Sequence, residues 1–548
     1  MFVIMSCLQQ VPDEKSVEER VGEALRHAGT SVTVTTATDV LAFSVGAVTV
    51  RPDIDILVIT ICLLQQMPGL QSFCVCTAVG LATIYLLQLS WFTAWLVLDE
   101  RRREAARNSL LPCLVHRQSE AGPSSLTSSR WRLRLFSVYE RMTASWLYKA
   151  GVLLLAAGLL SCGALGWAQI VQKFDPTLLL PADSYLREWL DLNQEFYDSF
   201  WSGEIYSGPL VQSDLEGVER LATGLEELLK EGTVISSYEW WWPTFRSYLQ
   251  DSQNYTSPAQ ISSDFQSLLS DFLFSPEGSR YKSDFKFSGD LVCGQPAPPI
   301  LASKCDIDFL QFSGPETHIP AKAALTEMIE KAASPYFFSH SKVYSAWETD
   351  EIIGHELLRN LLLSLLCVAV ITLLLLGDLF VCFLVLLIVI MTLVDIVGFM
   401  HFWGLTIDIL SAVNIVLAIG LCVDYAVHIA HAFLRSEGSR QERSCRAVTF
   451  IGGAVTNGGV TTFLALAFCS LSSAHVFQTF FKVFCLTVVF GLFHGLVLLP
   501  AALSIIGPSS SSSDSASINT DSTNSSVREK PEILSRVAFT KTYSYNVQ

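Results

Sequence analysis

Charged residues are scarce in this sequence of 548 residues: only 16% are Asp, Glu, Lys or Arg, whereas 50% are hydrophobic. A soluble protein needs more polar side chains to cover its core, so this composition favours a membrane protein. A concentrated basic face is also lacking, because the formal net charge is −16 and the basic residues cluster in short loops. Binding to nucleic acid is therefore not expected.

Two catalytic motifs are missing from the sequence. No Gly-x-x-x-x-Gly-Lys-Ser/Thr loop occurs, which argues against an ATP-driven pump. No Gly-x-Ser-x-Gly elbow occurs either, which argues against a hydrolase of the soluble type. We therefore predict that the protein is not an enzyme and that it has no cofactor.

Cysteine is scarce in the longest polar region. Of the 14 cysteines, only Cys293 and Cys305 lie between residues 172 and 351, and nearly all the others fall in or beside apolar runs. Cysteine inside a membrane usually acts as a small apolar residue. Two cysteines alone in a large loop indicate one disulfide on an oxidising side of the membrane. The alternative is a pair of free thiols.

Long apolar runs are abundant. A helix that crosses the hydrocarbon core needs roughly 20 mostly apolar residues. Eight runs qualify, namely Thr30–Val50, Ser72–Leu98, Lys149–Ile170, Asn360–Leu376, Leu379–Met400, Leu410–Leu434, Ala447–Leu471 and Phe477–Ile506. The predicted fold is a polytopic α-helical membrane protein with about eight transmembrane helices and one α+β extracellular domain.

Clusters of arginine orient the chain. They follow the second run, precede the third, and separate the sixth from the seventh: Arg101, Arg102, Arg103 and Arg107; Arg130, Arg132, Arg134 and Arg141; Arg435, Arg440, Arg443 and Arg446. All three clusters fall on one side when eight spans are threaded in order, and we predict that this side is cytosolic. The long loop is then extracellular or lumenal, where Asn254 is a glycosylation acceptor. We expect a multi-pass protein of the plasma membrane.

Six regions follow from these patterns. They are two spans at 1–98, a cytosolic linker at 99–148, one span at 149–170, an outer α+β domain at 171–350, a five-helix bundle at 351–506 and a disordered, Ser-rich cytosolic tail at 507–548. Within the outer domain we predict helices at Tyr185–Tyr197 and Ser213–Leu229 and a strand at Thr233–Glu239. The run Trp240-Trp241-Trp242 is either core packing, which we favour, or a ligand platform.

The sixth span contains the main candidate site. Asp424, His428 and His431 are four and three residues apart, so they share one helix face. A carboxylate in hydrocarbon costs several kcal/mol unless it is protonated, paired or hydrated, which makes it a functional candidate. The first interpretation is a proton or cation site at Asp424 with the histidines as relay or partners. A metal site with three ligands, and an interfacial His431 beside Arg435, are the alternatives.

Three other aspartates occur in or near spans. Asp39 lies in the first span and Asp395 in the fifth, and each could join a relay or pair with hydroxyls or water. Asp408 is close to a span start, where an interfacial position is expected.

The seventh span is rich in glycine. Gly452-Gly453 and Gly458-Gly459 flank Asn457. Small residues one turn apart let two helices approach closely, and an amide can form a hydrogen bond across the contact. We predict that this motif supports the Asp424 helix, with a direct role of Asn457 in ion binding as a secondary hypothesis.

The residues from Gly420 to Asp424, followed by Tyr425, His428, His431 and Phe433, resemble the tenth helix of patched and patched-related proteins in the RND-type transporter superfamily. Further resemblances concern the sixth helix, the opening of the second extracellular domain and the last two helices. They are carried by Ser72-Phe73-Cys74 with Leu98-Asp99-Glu100-Arg101-Arg102, by Phe174-Asp175 with Leu180-Pro181-Ala182-Asp183-Ser184-Tyr185, and by Gly452-Gly453 through Thr461-Thr462-Phe463 with Phe480-Phe481-Lys482.

The resemblance implies that Gly420 belongs to the helix-packing motif and that residues 30–98 are the tail of a sterol-sensing domain, with sterols or other lipids as substrates. It also implies two departures. The family's acidic pair in the fourth helix precedes Met1, so we expect an N-terminal truncation that leaves Asp424 without partner carboxylates and this chain alone unable to transport. Arg51–Gln66 resembles an insertion.

Two hypotheses about function remain. The first is a proton- or cation-coupled sterol or lipid transporter that uses Asp424. The alternative is a receptor or interaction protein whose outer domain binds an extracellular protein ligand without transport. Membrane lipids are the expected partners, and a homo-oligomer is compatible with either hypothesis.

Overall fold

The computed structural model describes residues 1–9, 11–12, 15–47, 68–108, 139–173, 177, 180–181, 183–196, 201–210, 215–253, 264–312, 314–332 and 337–509. The predicted insertion at Arg51–Gln66 and the acceptor Asn254 lie outside the described residues, as does nearly all of the tail.

The first part of the chain is helical. Its helices are α1 (Phe2–Leu8), α2 (Val17–Ala47), α3 (Pro68–Leu87), α4 (Thr93–Glu104) and α5 (Trp146–Gln169), and a π-helical turn, Gln88–Phe92, joins α3 to α4. At the start of α2, the buried Arg20 guanidinium lies 3.4 Å from the carboxylate of Glu100 in α4. This ion pair ties α2 to α4, next to the arginine cluster that begins at Arg101.

The outer domain combines helices with a sheet. Its elements are α6 (Tyr185–Phe196), β1 (Ser202–Ser207), α7 (Leu215–Glu231), β2 (Ile235–Glu239), α8 (Trp241–Gln253), α9 (Phe265–Phe274), β3 (Phe285–Phe287), β4 (Ile300–Phe309), α10 (Pro315–Lys331) and β5 (Phe337–His340). The predicted α+β class and the three predicted elements are confirmed.

The sheet of the outer domain is antiparallel, with strand order β2-β4-β1-β5, and β3 pairs with β4. Along β4 the side chains of Cys305, Ile307 and Phe309 point inward at every second position. Trp241 and Trp242 are buried beside this face, and their rings pack edge to face with centroids 5.4 Å apart. The interpretation of the tryptophan run as core packing is confirmed.

The last part of the chain forms a helical bundle. Its helices are α11 (Tyr344–Leu376), α12 (Leu379–Phe402), α13 (Ile409–Arg435), α14 (Arg440–Ala447), α15 (Gly453–Ala467), α16 (His475–Phe493) and α17 (Leu499–Ile506), with π-helical turns at Val448–Gly452 and His494–Leu498. α13, the last span from α16 to α17, and α12 are the most enclosed parts of this bundle and carry much of its core.

Local signals set the ends of these helices. Gly377 ends α11 in the left-handed conformation (φ 65°), which only glycine adopts freely. Asp378 then accepts a hydrogen bond from the backbone N–H of Val381 and begins α12. Asp408 forms a capping box with Ser411 at the start of α13. Asp408, which the sequence places near the start of a span, therefore caps the N-terminus of α13.

Seven helical stretches among the described residues are long and apolar enough to cross a membrane: Gln71–Glu104, Trp146–Gln169, Tyr344–Leu376, Leu379–Phe402, Ile409–Arg435, Arg440–Leu471 and His475–Ile506. They correspond to seven of the eight predicted spans. The remaining one, Thr30–Val50, falls mainly in α2, which packs against α3, α11 and α13. Hydroxyl residues and Asp39 make α2 less apolar than the other seven.

Candidate functional site

One face of α2 is polar and points into the bundle. Ser31, Thr35 and Thr38 are buried on it, and Asp39 is half-buried. Their spacing of three and four residues places them along one side of the helix. Thr35 returns its hydroxyl to its own helix, donating to the carbonyl of Val32 at 3.1 Å. Ser31 and Asp39 of this face contact α13.

Asp39 meets α13 at Gly420. A Cβ atom added to Gly420 would lie 2.5 Å from Oδ1 of Asp39, so the carboxylate occupies space that only glycine leaves open. Asp424 lies about one helical turn further along α13 and is close enough to Asp39 for the two charges to repel. In both residues Oδ1 is shielded from solvent and has no hydrogen-bond partner among the described residues.

His428 extends this site along the same interface. Its Nδ1 lies 2.8 Å from the hydroxyl of Ser31 on α2, and both side chains are buried. The face predicted from the spacing of Asp424 and His428 is therefore the face that meets α2. The site is a seam of polar groups between α2 and α13, defined by Asp39, Asp424, Ser31 and His428, and we refer to it as the α2–α13 seam.

His431 lies three residues beyond His428, towards Arg435, and is half-buried. No group of three or more His, Cys, Asp or Glu side chains in the described part of the chain is arranged to hold a metal ion. The three-ligand arrangement of Asp424, His428 and His431 is therefore not formed, and His428 is engaged by a serine hydroxyl instead.

The glycine motif of the seventh span has two neighbouring helices. Gly459 packs against Leu492 of α16, where an added Cβ would lie 2.9 Å from the leucine side chain. Gly453 and Gly458 have no atom within 4 Å of such a Cβ, and Asn457 is exposed. Gly459 therefore joins α15 to α16, while the turn that ends at Gly452 contacts α13. The role of Asn457 stays a prediction. Gly452 lies near Val448 and Leu496.

A second acidic group lies in the bundle. Asp395 of α12 is fully buried, and its Oδ2 is 3.4 Å from Nε2 of His494, which is also fully buried. Asp395 was a candidate from the sequence, whereas His494 was not. The argument that singled out Asp424 applies equally to a histidine in the last span, since any ionisable residue within a span is a functional candidate.

The two cysteines of the outer domain are not bonded to each other in the structure. Cys293 is exposed, whereas Cys305 is buried on the inward side of β4. Burial raises the pKa of the Cys305 thiol. The structure thus contains the free thiols that were the alternative to the predicted disulfide.

Fold and site together define a multi-pass membrane protein whose bundle buries facing carboxylates between two of its helices. Three family models match parts of the chain. They are described as Patched SSD (residues 1–67), Sterol-sensing domain of SREBP cleavage-activation (54–116) and AcrB/AcrD/AcrF family (340–528). The resemblance stated from the sequence is confirmed: parts of the chain are similar to patched, sterol-sensing and AcrB-type proteins.

Individual relatives agree with these models. The chain is 24% identical to the NPC intracellular cholesterol transporter 1 homolog 1b of Drosophila melanogaster, covering 93% of this chain and 45% of that protein. It is 23% identical to the NPC intracellular cholesterol transporter 1 of Sus scrofa, covering 93% and 43%. A shorter match to the protein patched homolog 2 of Mus musculus has 38% identity over 126 residues, 23% of this chain and 11% of that one.

Among solved structures, the hedgehog release protein Disp from the water bear Hypsibius dujardini matches with a TM-score of 0.60. The alignment covers 92% of this chain and 62% of that one at 12% identity, so it shows the fold alone. The chain spans less than half of the length of the NPC1-type relatives named above.

Proposed function

We propose that this protein moves a sterol or a related lipid and that a proton or small cation bound at the α2–α13 seam drives the movement. The observation that carries the proposal is the pair of facing carboxylates, Asp39 and Asp424, each with an unpaired and buried Oδ1. The names of the NPC1-type relatives, which are cholesterol transporters, supply the class of substrate.

Two carboxylates that face each other away from water cannot both stay ionised without a counter-charge. Like charges at short range disfavour the ionised pair, and burial disfavours it further. No Lys or Arg side chain in the described part of the chain forms an ion pair with either one. A proton or a small cation is therefore needed to neutralise Asp39 and Asp424. When it is released, the two carboxylates repel each other.

The position of the seam supports a coupling role. α2 lies in the region matched by the Patched SSD model, and α13 lies in the region matched by the AcrB model. Transporters of this architecture place ion sites where two parts of the bundle move against each other. A cation held between Asp39 and Asp424 favours the arrangement in which α2 and α13 are in contact, and its loss favours their separation.

The histidines of α13 are proposed to exchange protons with the seam. His428 is one turn from Asp424 and bonds to Ser31, while His431 continues towards Arg435 at the end that the arginine clusters predict to be cytosolic. An imidazole can take up a proton at one nitrogen and give it up at the other. The line from His431 through His428 to Asp424 would then be the path from the cytosolic side.

The experiment is a measurement of linkage between sterol and cation. If sterol and cation favour the same arrangement of the bundle, each ligand changes the affinity for the other by the same factor. We would measure the affinity of the purified chain in nanodiscs for a fluorescent sterol over a range of pH and Na⁺ concentration, for the wild type, Asp39→Asn, Asp424→Asn and Gly453→Ala. Gly453 is the control because an added methyl meets open space.

We expect the wild type and Gly453→Ala to bind the sterol with an affinity that changes with pH or Na⁺, and both aspartate variants to lose that dependence. A wild-type affinity independent of both, or a dependence that survives Asp424→Asn, contradicts the proposal. If the outer domain instead binds an extracellular ligand with no response to Asp424→Asn and sterol is not bound, the receptor hypothesis is supported.

A further inference from the structure

His494 of the last span has a hydrogen-bond partner at Nδ1, whereas its Nε2 and both carboxylate oxygens of Asp395 in α12 have none among the described residues. Thr392, one turn before Asp395, lies with its Oγ1 2.7 Å from the carbonyl of Ile388 and 3.1 Å from Nδ1 of His494. A threonine hydroxyl has one hydrogen to donate. When that hydrogen goes to the carbonyl of Ile388, the oxygen accepts from His494, and Nδ1 carries the N–H.

This assignment determines what faces the carboxylate. With a proton on Nδ1, the neutral imidazole presents a lone pair at Nε2, and Nε2 lies 3.4 Å from Oδ2 of Asp395. One proton between these two atoms neutralises the pair, either as Oδ2–H donating to Nε2 or as Nε2–H donating to Oδ2. Without that proton, a buried carboxylate faces a lone pair, which is unfavourable in a low-dielectric interior.

The far side of the carboxylate offers no compensating donor. Oδ1 of Asp395 is buried and unpaired among the described residues. It lies against Gly163 of α5, where an added Cβ would be 2.7 Å away. Three residues along α5, Gly166 packs directly on the backbone of Gly398 in α12. This close contact between α5 and α12 shields the carboxylate from solvent on that side.

The backbone at His494 is irregular. His494 begins the π-helical turn that ends at Leu498, within the long helical stretch His475–Ile506. Such turns occur frequently at functional sites, because the extra residue per turn re-aims a side chain. Here His494 points into the bundle towards Asp395.

Few other titratable groups surround the pair. From α13, Tyr425 packs on Gly491 and Gly495, which flank His494, and Sγ of Cys422 would lie 3.8 Å from a Cβ added to Gly491. The neighbouring Asp424 faces Asp39 instead. The apolar half of α11 after Arg359, the middle of α5 after Lys149, and the helix α17 carry no charged side chain, although α5 includes Cys162. Cys485 lies on α16, two and a half turns before His494. The proton balance of the pair is therefore set by Asp395 and His494 themselves.

We propose that Asp395, His494 and Thr392 form a second proton-binding site of the bundle, which holds one proton between Oδ2 of Asp395 and Nε2 of His494 and exchanges it with water. This site is separate from the α2–α13 seam, because it lies between α12 and the last span. The proposal does not depend on which lipid the protein moves.

Infrared difference spectroscopy of the purified chain in nanodiscs, labelled with ¹³C at the aspartate carboxyl groups, tests the proposal by titration with pH. The variants are Asp395→Asn, His494→Gln and Asp424→Asn. An asparagine at 395 can still donate to Nε2, so the structure is retained without a titrating carboxyl. A glutamine at 494 can donate its amide hydrogen to Oδ2 and favours the ionised carboxylate.

We expect one titrating aspartate band to disappear in Asp395→Asn, to move to lower pH in His494→Gln, and to persist in Asp424→Asn. Identical titrations of the wild type and Asp395→Asn would show that this carboxyl does not exchange its proton and would overturn the proposal. If Asp395→Asn fails to fold, His494→Gln decides: an unmoved band contradicts a shared proton, and a moved band supports it.

Discussion

The bundle buries acidic groups in two regions that differ in what faces the carboxylate. In the α2–α13 seam, Asp39 of one helix faces Asp424 of another, and the two helices belong to regions matched by different family models. Between α12 and the last span, Asp395 faces His494, and both lie within one matched region. The first site joins two acids, whereas the second joins an acid to a base.

This difference determines how each site is neutralised. Two acids require a proton or a cation from outside to become neutral, which is why we propose the α2–α13 seam as the coupling site. An acid and a base become neutral together with a single shared proton. The proposed Asp395–His494 site can therefore keep its proton when the α2–α13 seam releases its ion. The positions of the two sites agree with this difference. The α2–α13 seam lies between helices of two matched regions, where we propose that the bundle opens, whereas Asp395 and His494 lie within one matched region.

A third buried contact between a histidine and an aspartate joins the outer domain to α11. His318 of α10 lies with Nε2 3.4 Å from Oδ2 of Asp350 in α11, the same separation as in the bundle. Here, however, the imidazole is stacked on the ring of Trp347 at 5.1 Å between centroids. Burial lowers the pKa of His318, so its imidazole takes up a proton less readily than an exposed one.

The largest effect is expected from removing the acid of the α2–α13 seam. Asp424→Asn keeps the shape and removes the charge, so the dependence of sterol binding on pH or Na⁺ should be lost. Folding should be little affected, since a neutral amide is less costly in hydrocarbon than a carboxylate. Asp271→Asn, at an exposed position of α9, is the control. An unchanged pH or Na⁺ dependence of sterol binding in a well-expressed Asp424→Asn variant would leave this residue with a structural role only.

The next effect concerns the contact that encloses the second site. A methyl group at Gly166 would overlap the backbone of Gly398, so Gly166→Ala should destabilise the bundle by about 3 kcal/mol. Gly158→Ala on the same helix meets open space and should have no such cost. Thermal unfolding in detergent measures both. Equal stabilities would mean that the close approach of α5 and α12 is not required.

A smaller effect is expected from displacing the partner acid without removing any charge. The methyl group of Gly420→Ala would overlap Oδ1 of Asp39, which can rotate away at a cost of about 1 kcal/mol. Sterol binding should then depend less on pH or Na⁺ than in Gly453→Ala. A cation dependence equal to that of Gly453→Ala would show that contact between the two helices at this point is unimportant for coupling.

The smallest effect is expected from His318. Its pKa is lowered from the ordinary value of 6.5, so the unfolded chain binds this proton more readily than the folded chain does. The corresponding stability is present above about pH 6.5 and is lost as the pH falls below it. His318→Gln should therefore weaken the loss of thermal stability between pH 7.5 and 5.5, whereas His340→Gln, at an exposed position, should not. Parallel curves for wild type and His318→Gln would contradict this.

Much of the fold could be predicted from the sequence. Apolar runs such as Leu379–Met400 were long enough to span a membrane, and the observed helix Leu379–Phe402 nearly coincides with that run. Asp424 was identified because a carboxylate in hydrocarbon is costly wherever its partners lie. The buried tryptophans followed from the size of their apolar rings. These are properties of single residues or of continuous segments, so they are readable along the chain.

The pairings could not be predicted in this way. Asp39 and Asp424 are far apart in sequence, and only the packing of α2 on α13 brings Asp39, which the sequence offered as a possible member of a relay, opposite Asp424. Asp395 and His494 meet because a π-helical turn aims the histidine inward. The glycines near Asn457 could have served either neighbouring helix. Helix periodicity states which residues share a face, whereas the neighbour of that face depends on how all the helices pack together.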